Sequence, residues 1–117
     1  MSPGRYDFCK MFVRSDERDD VVAALTEVLD GRVERRVIEL PEAVVEVLRN
    51  PDASRGDEAD FLFWPVLVEI ESNGTSAVVG LTARILTQLW ERGFPTVAAC
   101  DYEDELPWRG GIARIEE

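Results

Sequence analysis

Two amphipathic stripes at helical spacing, each entered from a segment that alternates, constrain this chain more than any other feature. Val21, Val22, Leu25, Val28 and Leu29 recur as one apolar face, enough for a helix of about four turns. Ser15 or Asp16 supplies an N-cap ahead of it, and Gly31 a left-handed stop behind it. Val78, Val79, Leu81, Ile85, Leu86, Leu89 and Trp90 form the second stripe. It begins from a cap within residues 72–76 and ends at Gly93, with Pro95 unable to continue it.

A helix with one apolar face must bury it, and the flanking segments supply a sheet to bury it against. Residues 6–14 alternate, with aromatic and β-branched side chains favouring a strand. Residues 32–40 alternate weakly and read as extended, and Pro41 interrupts them. Residues 43–49 read as a strand, because Val44, Val45 and Val47 suit a pleated surface. The alternative there is a short helix begun at Pro41 with Val44, Val47 and Leu48 as its stripe. Residues 50–60 are a polar turn and loop. Residues 61–71 form the strongest strand, with Leu62, Trp64, Val66, Val68 and Ile70 on one face. Phe61, Phe63, Pro65, Leu67, Glu69 and Glu71 take the other face, where Pro65 removes a ladder donor. Residues 96–102 are the last strand. From about residue 103 the chain reads as a tail, or adds a short strand at residues 112–115. The order β-α-β-β-α-β over residues 1–117 predicts one α+β domain of ferredoxin-like plan. That plan is a two-layer sandwich of an antiparallel sheet with two helices on one face.

Charge narrows the function. The chain has 24 acidic and 13 basic side chains, no histidine and a net charge of −11. Such a balance repels phosphate backbones and anionic membranes, so neither nucleic acid nor a membrane surface is an expected partner. The absence of histidine removes His-dependent triads and His-ligated metals. Ser15, Ser54 and Ser76 have no base in view, and Gly110-Gly111 lacks the lysine and the strand-loop-helix setting of a phosphate loop. No enzyme, cofactor or metal is expected. Residues 1–5 lead into an alternating segment instead of an apolar h-region, and no apolar run reaches the length of a membrane span, so the expected location is the cytoplasm. There Cys9 and Cys100 stay reduced, and the reading as two small core residues outweighs that of a redox pair.

Three groups of residues remain as candidates. Asp101, Tyr102, Glu103, Asp104, Glu105 and Trp108 leave the last strand together. They are either a solvated acidic loop or a surface for a basic protein, in which aromatics anchor and acids steer. A carboxylate cation site or an acid/base pair is weaker, since no calcium-loop spacing is present. Asp52, Asp57, Glu58 and Asp60 form a second acidic turn, which joins the first in one negative field only if the fold brings them together. Phe8, Phe12, Phe61 and Phe63 can share the sheet face away from the helices. Base stacking there is opposed by the charge. A second protomer, the C-terminal tail or another protein is the expected cover.

The run from Asp60 through Phe61, Leu62, Phe63, Trp64 and Pro65 to Glu71 is followed by a long helix. That helix ends in Leu89, Trp90, Glu91, Arg92 and Gly93, and the segment from Thr96 through Asp101, Tyr102 and Glu103 to Pro107 closes the domain. This pattern resembles the immunity proteins of bacterial polymorphic and contact-dependent toxin systems, small acidic proteins encoded beside toxin genes. The resemblance covers roughly the second half of the chain, and the first half by element order alone. It implies a cytoplasmic inhibitor that binds one cognate toxin domain, often a nuclease, and occludes its active site. It carries over no catalytic residue and no contact residue. An acidic inhibitor can imitate the phosphates that a basic nuclease site holds. The alternative expectation is a small-molecule-binding regulatory module that dimerises through the open sheet face.

Overall fold

The computed structural model describes residues 4–57 and 59–115. Its strands are β1 (Phe8–Val13), β2 (Arg32–Glu34), β3 (Val37–Glu39), β4 (Ala43–Arg49), β5 (Val66–Ser72) and β6 (Thr96–Ala99). The helices are α1 (Arg18–Val28), α2 (Ala77–Glu91) and a short α3 (Ile112–Ile115). All six strands join one sheet in the order β2-β3-β4-β5-β1-β6, and every pairing is antiparallel. The chain is thus an α+β protein, with more strands than the four expected.

The extra strands come from residues 32–40, which are not one extended segment. They fold as the β2–β3 hairpin, turned at Arg35 with φ 58°. Only Ile38 of this hairpin is fully buried, while Val33 stays 43% exposed. A segment with so little apolar surface gains most by lying at the sheet edge. Residues 43–49 are a strand, as their valines suggest: Ala43, Val45 and Val47 are buried, while Val44 and Glu46 are exposed.

Residues 61–71 depart most from expectation. Phe61–Phe63 is a 3-10 turn, and the strand begins only at Val66. Pro65 has no N–H for the ladder. Asp60 instead accepts a hydrogen bond from the Leu62 N–H at 3.0 Å, which caps the turn and lifts Phe61–Phe63 out of the ladder. Asn50, 7% exposed, ties this turn to the end of β4. Its amide donates to the carbonyls of Leu62 (2.9 Å) and Trp64 (2.8 Å), and its oxygen accepts from the Asp52 N–H (3.0 Å). Asn50→Ala leaves two carbonyls and an N–H short of partners. It is expected to cost about 1–2 kcal/mol, read as a lower urea midpoint at unchanged m-value.

The helix ends differ in how far they follow local signals. Gly93 has φ 89° and closes α2: its N–H reaches the Trp90 carbonyl (3.1 Å), and the Phe94 N–H reaches that of Leu89 (2.8 Å). This is the two-bond glycine stop. Gly31 is not left-handed. Helix α1 stops at Val28 with Leu29 extended. Gly31 is needed for space instead, since a Cβ there would lie 2.7 Å from the Glu39 carbonyl of β3. Neither Ser15 nor Ser76 caps by its side chain; the N-cap of α1 is Glu17, and Ser15 Oγ accepts from the Glu17 N–H at 3.3 Å.

Alternation along the strands divides the buried residues into two groups. Cys9, Met11 and Val13 of β1 join Val45 and Val47 of β4 and Val66, Val68 and Ile70 of β5 in the main core. Both α1, through Val21 and Leu25, and α2, through Val78, Ile85, Leu86 and Leu89, contribute to that cluster. The opposite sheet face carries a smaller cluster of Phe12, Trp64, Leu67 and Val97.

The expected free tail is not one. Residues 103–109 form two 3-10 turns, and residues 112–115 are helical, not a strand. Ile112 and Ile115 lie against the smaller cluster. The reversal that brings them there is a run of left-handed residues, Trp108 (φ 54°), Arg109 (φ 52°), Gly110 (φ 82°) and Gly111 (φ 99°).

Candidate functional site

The acidic loop expected to dock a partner is partly turned inward. Tyr102 is 0% exposed, beneath the turn, with its Oη 2.9 Å from Thr82 Oγ1. Burial pushes its phenol pKa up. It is therefore a core residue and not a surface anchor. Tyr102→Phe strands the Thr82 hydroxyl, a loss of about 1 kcal/mol expected in thermal unfolding. Trp108 is half-buried and engaged: its ring meets Trp90 edge-on at 6.1 Å, and the Arg114 guanidinium lies over both indoles, 4.7 Å from Trp90 and 4.5 Å from Trp108.

The acids of the loop do reach the surface, and some have internal partners. Asp101, Glu103, Asp104 and Glu105 are exposed. Arg5 bridges Asp104 (2.7 Å) and Glu105 (3.0 Å), and the Tyr6 hydroxyl donates to Glu105 (3.1 Å). The Glu105 hydrogen bond is the main reason the Arg5 pKa is raised. Exposed pairs of this kind fix the loop more than they stabilise the fold. In the second acidic turn, Asp57 accepts from the Ala59 N–H (2.9 Å), and Asp60 caps the aromatic turn. Glu58 lies outside the described residues. The two acidic segments hang on different elements, one on the exit from β6 and the other on the entry to Phe61–Phe63, and no hydrogen bond or ion pair joins them among the described residues.

The four phenylalanines separate as well. Phe12 and Phe61 stack edge-to-face at 5.4 Å beneath the C-terminal segment. A Cβ on Gly56 would fall 2.3 Å from the Phe63 ring, so Phe63 lies across that glycine. Phe8 remains 43% exposed. The chain's own residues therefore cover one half of the open face.

The other half is uncovered, and it carries a charged array. Its rows follow from register. One row runs Glu39, Val44, Glu71 and Phe8 across β3, β4, β5 and β1. The next runs Val37, Glu46, Glu69 and Lys10. Glu46 and Glu69 are thus directly opposite on adjacent strands, where like charges repel. Val44, 40% exposed, and Phe8 offer apolar contact among the carboxylates. Among the described residues the carboxylates of Glu39, Glu46, Glu69 and Glu71 make no ion pair and no side-chain hydrogen bond. Only Glu69 and Glu71 stand out along the sequence; Glu39 and Glu46 join them only once β3, β4 and β5 are in register.

Basic groups gather elsewhere. Arg18, Arg36 and Arg49 line a cleft of about 260 Å³ between the start of α1 and the ends of β4 and β5, interspersed with Asp16, Glu17 and Asp19. Arg36 bonds Asp19 at 3.0 Å, so this cleft is internally neutralised. No described helix is long and apolar enough to cross a membrane. The chain matches no family model, no curated protein and no solved structure.

Proposed function

We propose that this chain is an acidic binding protein that neutralises a basic protein domain, in the manner of an immunity protein acting on its toxin in the cytoplasm. One observation carries the reading: Glu39, Glu46, Glu69 and Glu71 share one uncovered sheet face with Phe8 and Val44, where Lys10, opposite Glu69, is the one basic residue in the two rows, and no ion pair engages the four carboxylates among the described residues. Within a single chain, directly opposed carboxylates destabilise the strands that bear them. A partner bearing lysine or arginine relieves that repulsion and gains apolar contact from Phe8 and Val44. A basic nuclease cleft has the complementary charge. The acidic loop at Asp101, Glu103, Asp104 and Glu105 extends the negative field toward the end of β1 that bears Phe8.

On this reading the strands β4-β5-β1-β6 with α1 and α2 are a ferredoxin-like unit, and the β2–β3 hairpin widens its open face. The test is co-expression with the protein encoded beside its gene. The expected outcome is a toxic neighbour that this chain renders harmless, in a complex that weakens as salt is raised. A neighbour that is harmless alone and does not co-purify rules the reading out.

A further inference from the structure

Cys9 and Cys100 have a geometric relation that core packing does not require. The β1–β6 register runs Val13↔Thr96, Phe12↔Val97, Met11↔Ala98 and Lys10↔Ala99. β6 ends at Ala99, and continuing its register by one residue, into the bend at Cys100, sets Cys9 opposite Cys100. The Arg14 N–H bonds the Pro95 carbonyl at 2.9 Å, so that couple is hydrogen-bonded. Alternation along an antiparallel ladder then makes Cys9 and Cys100 a non-hydrogen-bonded couple, the kind with Cα atoms about 4.5 Å apart and side chains close together. The Ala98 N–H agrees with this phase, since it points away from β1 to the Gly110 carbonyl (2.7 Å). A separation of about 4.5 Å falls within the span that a disulfide bridges without backbone movement.

The two thiols are not equivalent. Cys9 is fully buried, and Cys100 is partly exposed. Cys100 is one of the residues lining a pocket of about 300 Å³, together with Gly4, Asp7, Phe8, Ala99 and Asp101. The neighbouring Cys9 thiol and the Tyr102 backbone lower the Cys100 pKa, against the opposing effects of burial and of Glu103 and Asp101. The same contact with Cys100, together with burial, pushes the Cys9 thiol up. This is the arrangement of an attacking sulfur with a resolving thiol beside it.

We propose that Cys9 and Cys100 are a dithiol oxidised by hydrogen peroxide that closes to an intramolecular disulfide. The Cys100 thiolate attacks the O–O bond, which breaks. The sulfur becomes a sulfenic acid, and the departing oxygen takes up a proton and leaves as water. The Cys9 sulfur then attacks the sulfenic sulfur; the S–S bond forms, the S–O bond breaks, and the oxygen leaves with the Cys9 proton as a second water. The two thiols lose two electrons, and the peroxide gains them. A dithiol reductant reverses the bridge by exchange. The bridge would tie β1 to the exit of β6, at the root of the acidic loop, and the step is independent of the proposed binding role.

The test treats the intact protein with hydrogen peroxide, unfolds it in acid, alkylates it and measures intact mass. The expected product is a monomer about 2 Da lighter that takes no alkyl group until it is reduced, and then takes two. In Cys9→Ser, Cys100 should instead give a sulfenic acid trapped by dimedone, whereas in Cys100→Ser the buried Cys9 should stay reduced. Two alkylatable thiols in the peroxide-treated native chain, a disulfide-linked dimer, or equal peroxide reactivity of the two single variants would overturn the proposal.

Discussion

Replacing Gly111 with alanine should lower stability by about 3–5 kcal/mol, enough to drop the melting temperature by roughly 10–20 °C. Two separate costs add here. Gly111 has φ 99°, a backbone conformation that side chains with a Cβ rarely adopt. The added Cβ would also lie 2.2 Å from the Thr96 carbonyl oxygen, far inside contact distance. That carbonyl cannot simply swing aside, because it accepts the Trp90 indole N–H at 2.9 Å. Displacing it disturbs Trp90, hence the Trp108 and Arg114 stack, and hence the return of Ile112 and Ile115 to the smaller core. Gly80→Ala is the matched control. Gly80 lies inside α2 with nothing within 4 Å of a built Cβ. Alanine there should stabilise by about 0.5–1 kcal/mol through helix propensity and a less flexible unfolded chain. Equal effects at the two glycines would mean that the close passage beside β6 is not needed.

The contrast between these glycines shows which parts of the fold local sequence encodes. Helices α1 and α2 were legible because a 3.6-residue period needs no distant information: Leu25 and Leu86 sit on stripes that only a helix aligns. Residues 43–49 were legible for the same kind of reason, with Ala43, Val45 and Val47 inward at period two. The hairpin at Arg35 was not, since an arginine at positive φ leaves no compositional mark. The aromatic turn at Phe61–Phe63 was half legible. Its composition is that of a strand, and Pro65 was the one sign that the ladder could not run through it. Along the sequence, Gly110-Gly111 resembles only a phosphate loop that it fails to make. Its actual use, close passage along β6, depends on a neighbour more than ten residues away in sequence.

The candidate site divides along the same line. Runs such as Asp101 to Glu105 are conspicuous because acidic residues adjacent in sequence stand out. Adjacency does not decide exposure, however, and Tyr102 is buried directly between exposed neighbours. The sheet-face carboxylates are separated by long stretches of chain. Glu46 and Glu69 become neighbours only through the β4–β5 register, which sequence pattern fixes by parity but not by position.

The double variant Glu46→Gln/Glu69→Gln should separate the cost of that array from its use. In the isolated chain it removes two like charges that face each other across β4 and β5 without changing side-chain shape. Stability should therefore rise by about 0.2–0.5 kcal/mol at low salt, the relieved repulsion being partly offset by the lost attraction of Glu69 to Lys10 opposite it on β1, and the gain should shrink as salt is added. In the complex with a basic partner the same change removes two charge-complementary contacts at the centre of the uncovered face. Affinity should fall by about 100-fold at low salt. The opposite signs are the point of the experiment, since a purely structural role for the pair predicts stability and binding moving together. If stability rises and affinity is unchanged, the sheet face is self-repelling but not the docking surface. Asp104→Asn/Glu105→Gln, which uncouples Arg5 from the acidic loop, would then be the variant expected to weaken the complex.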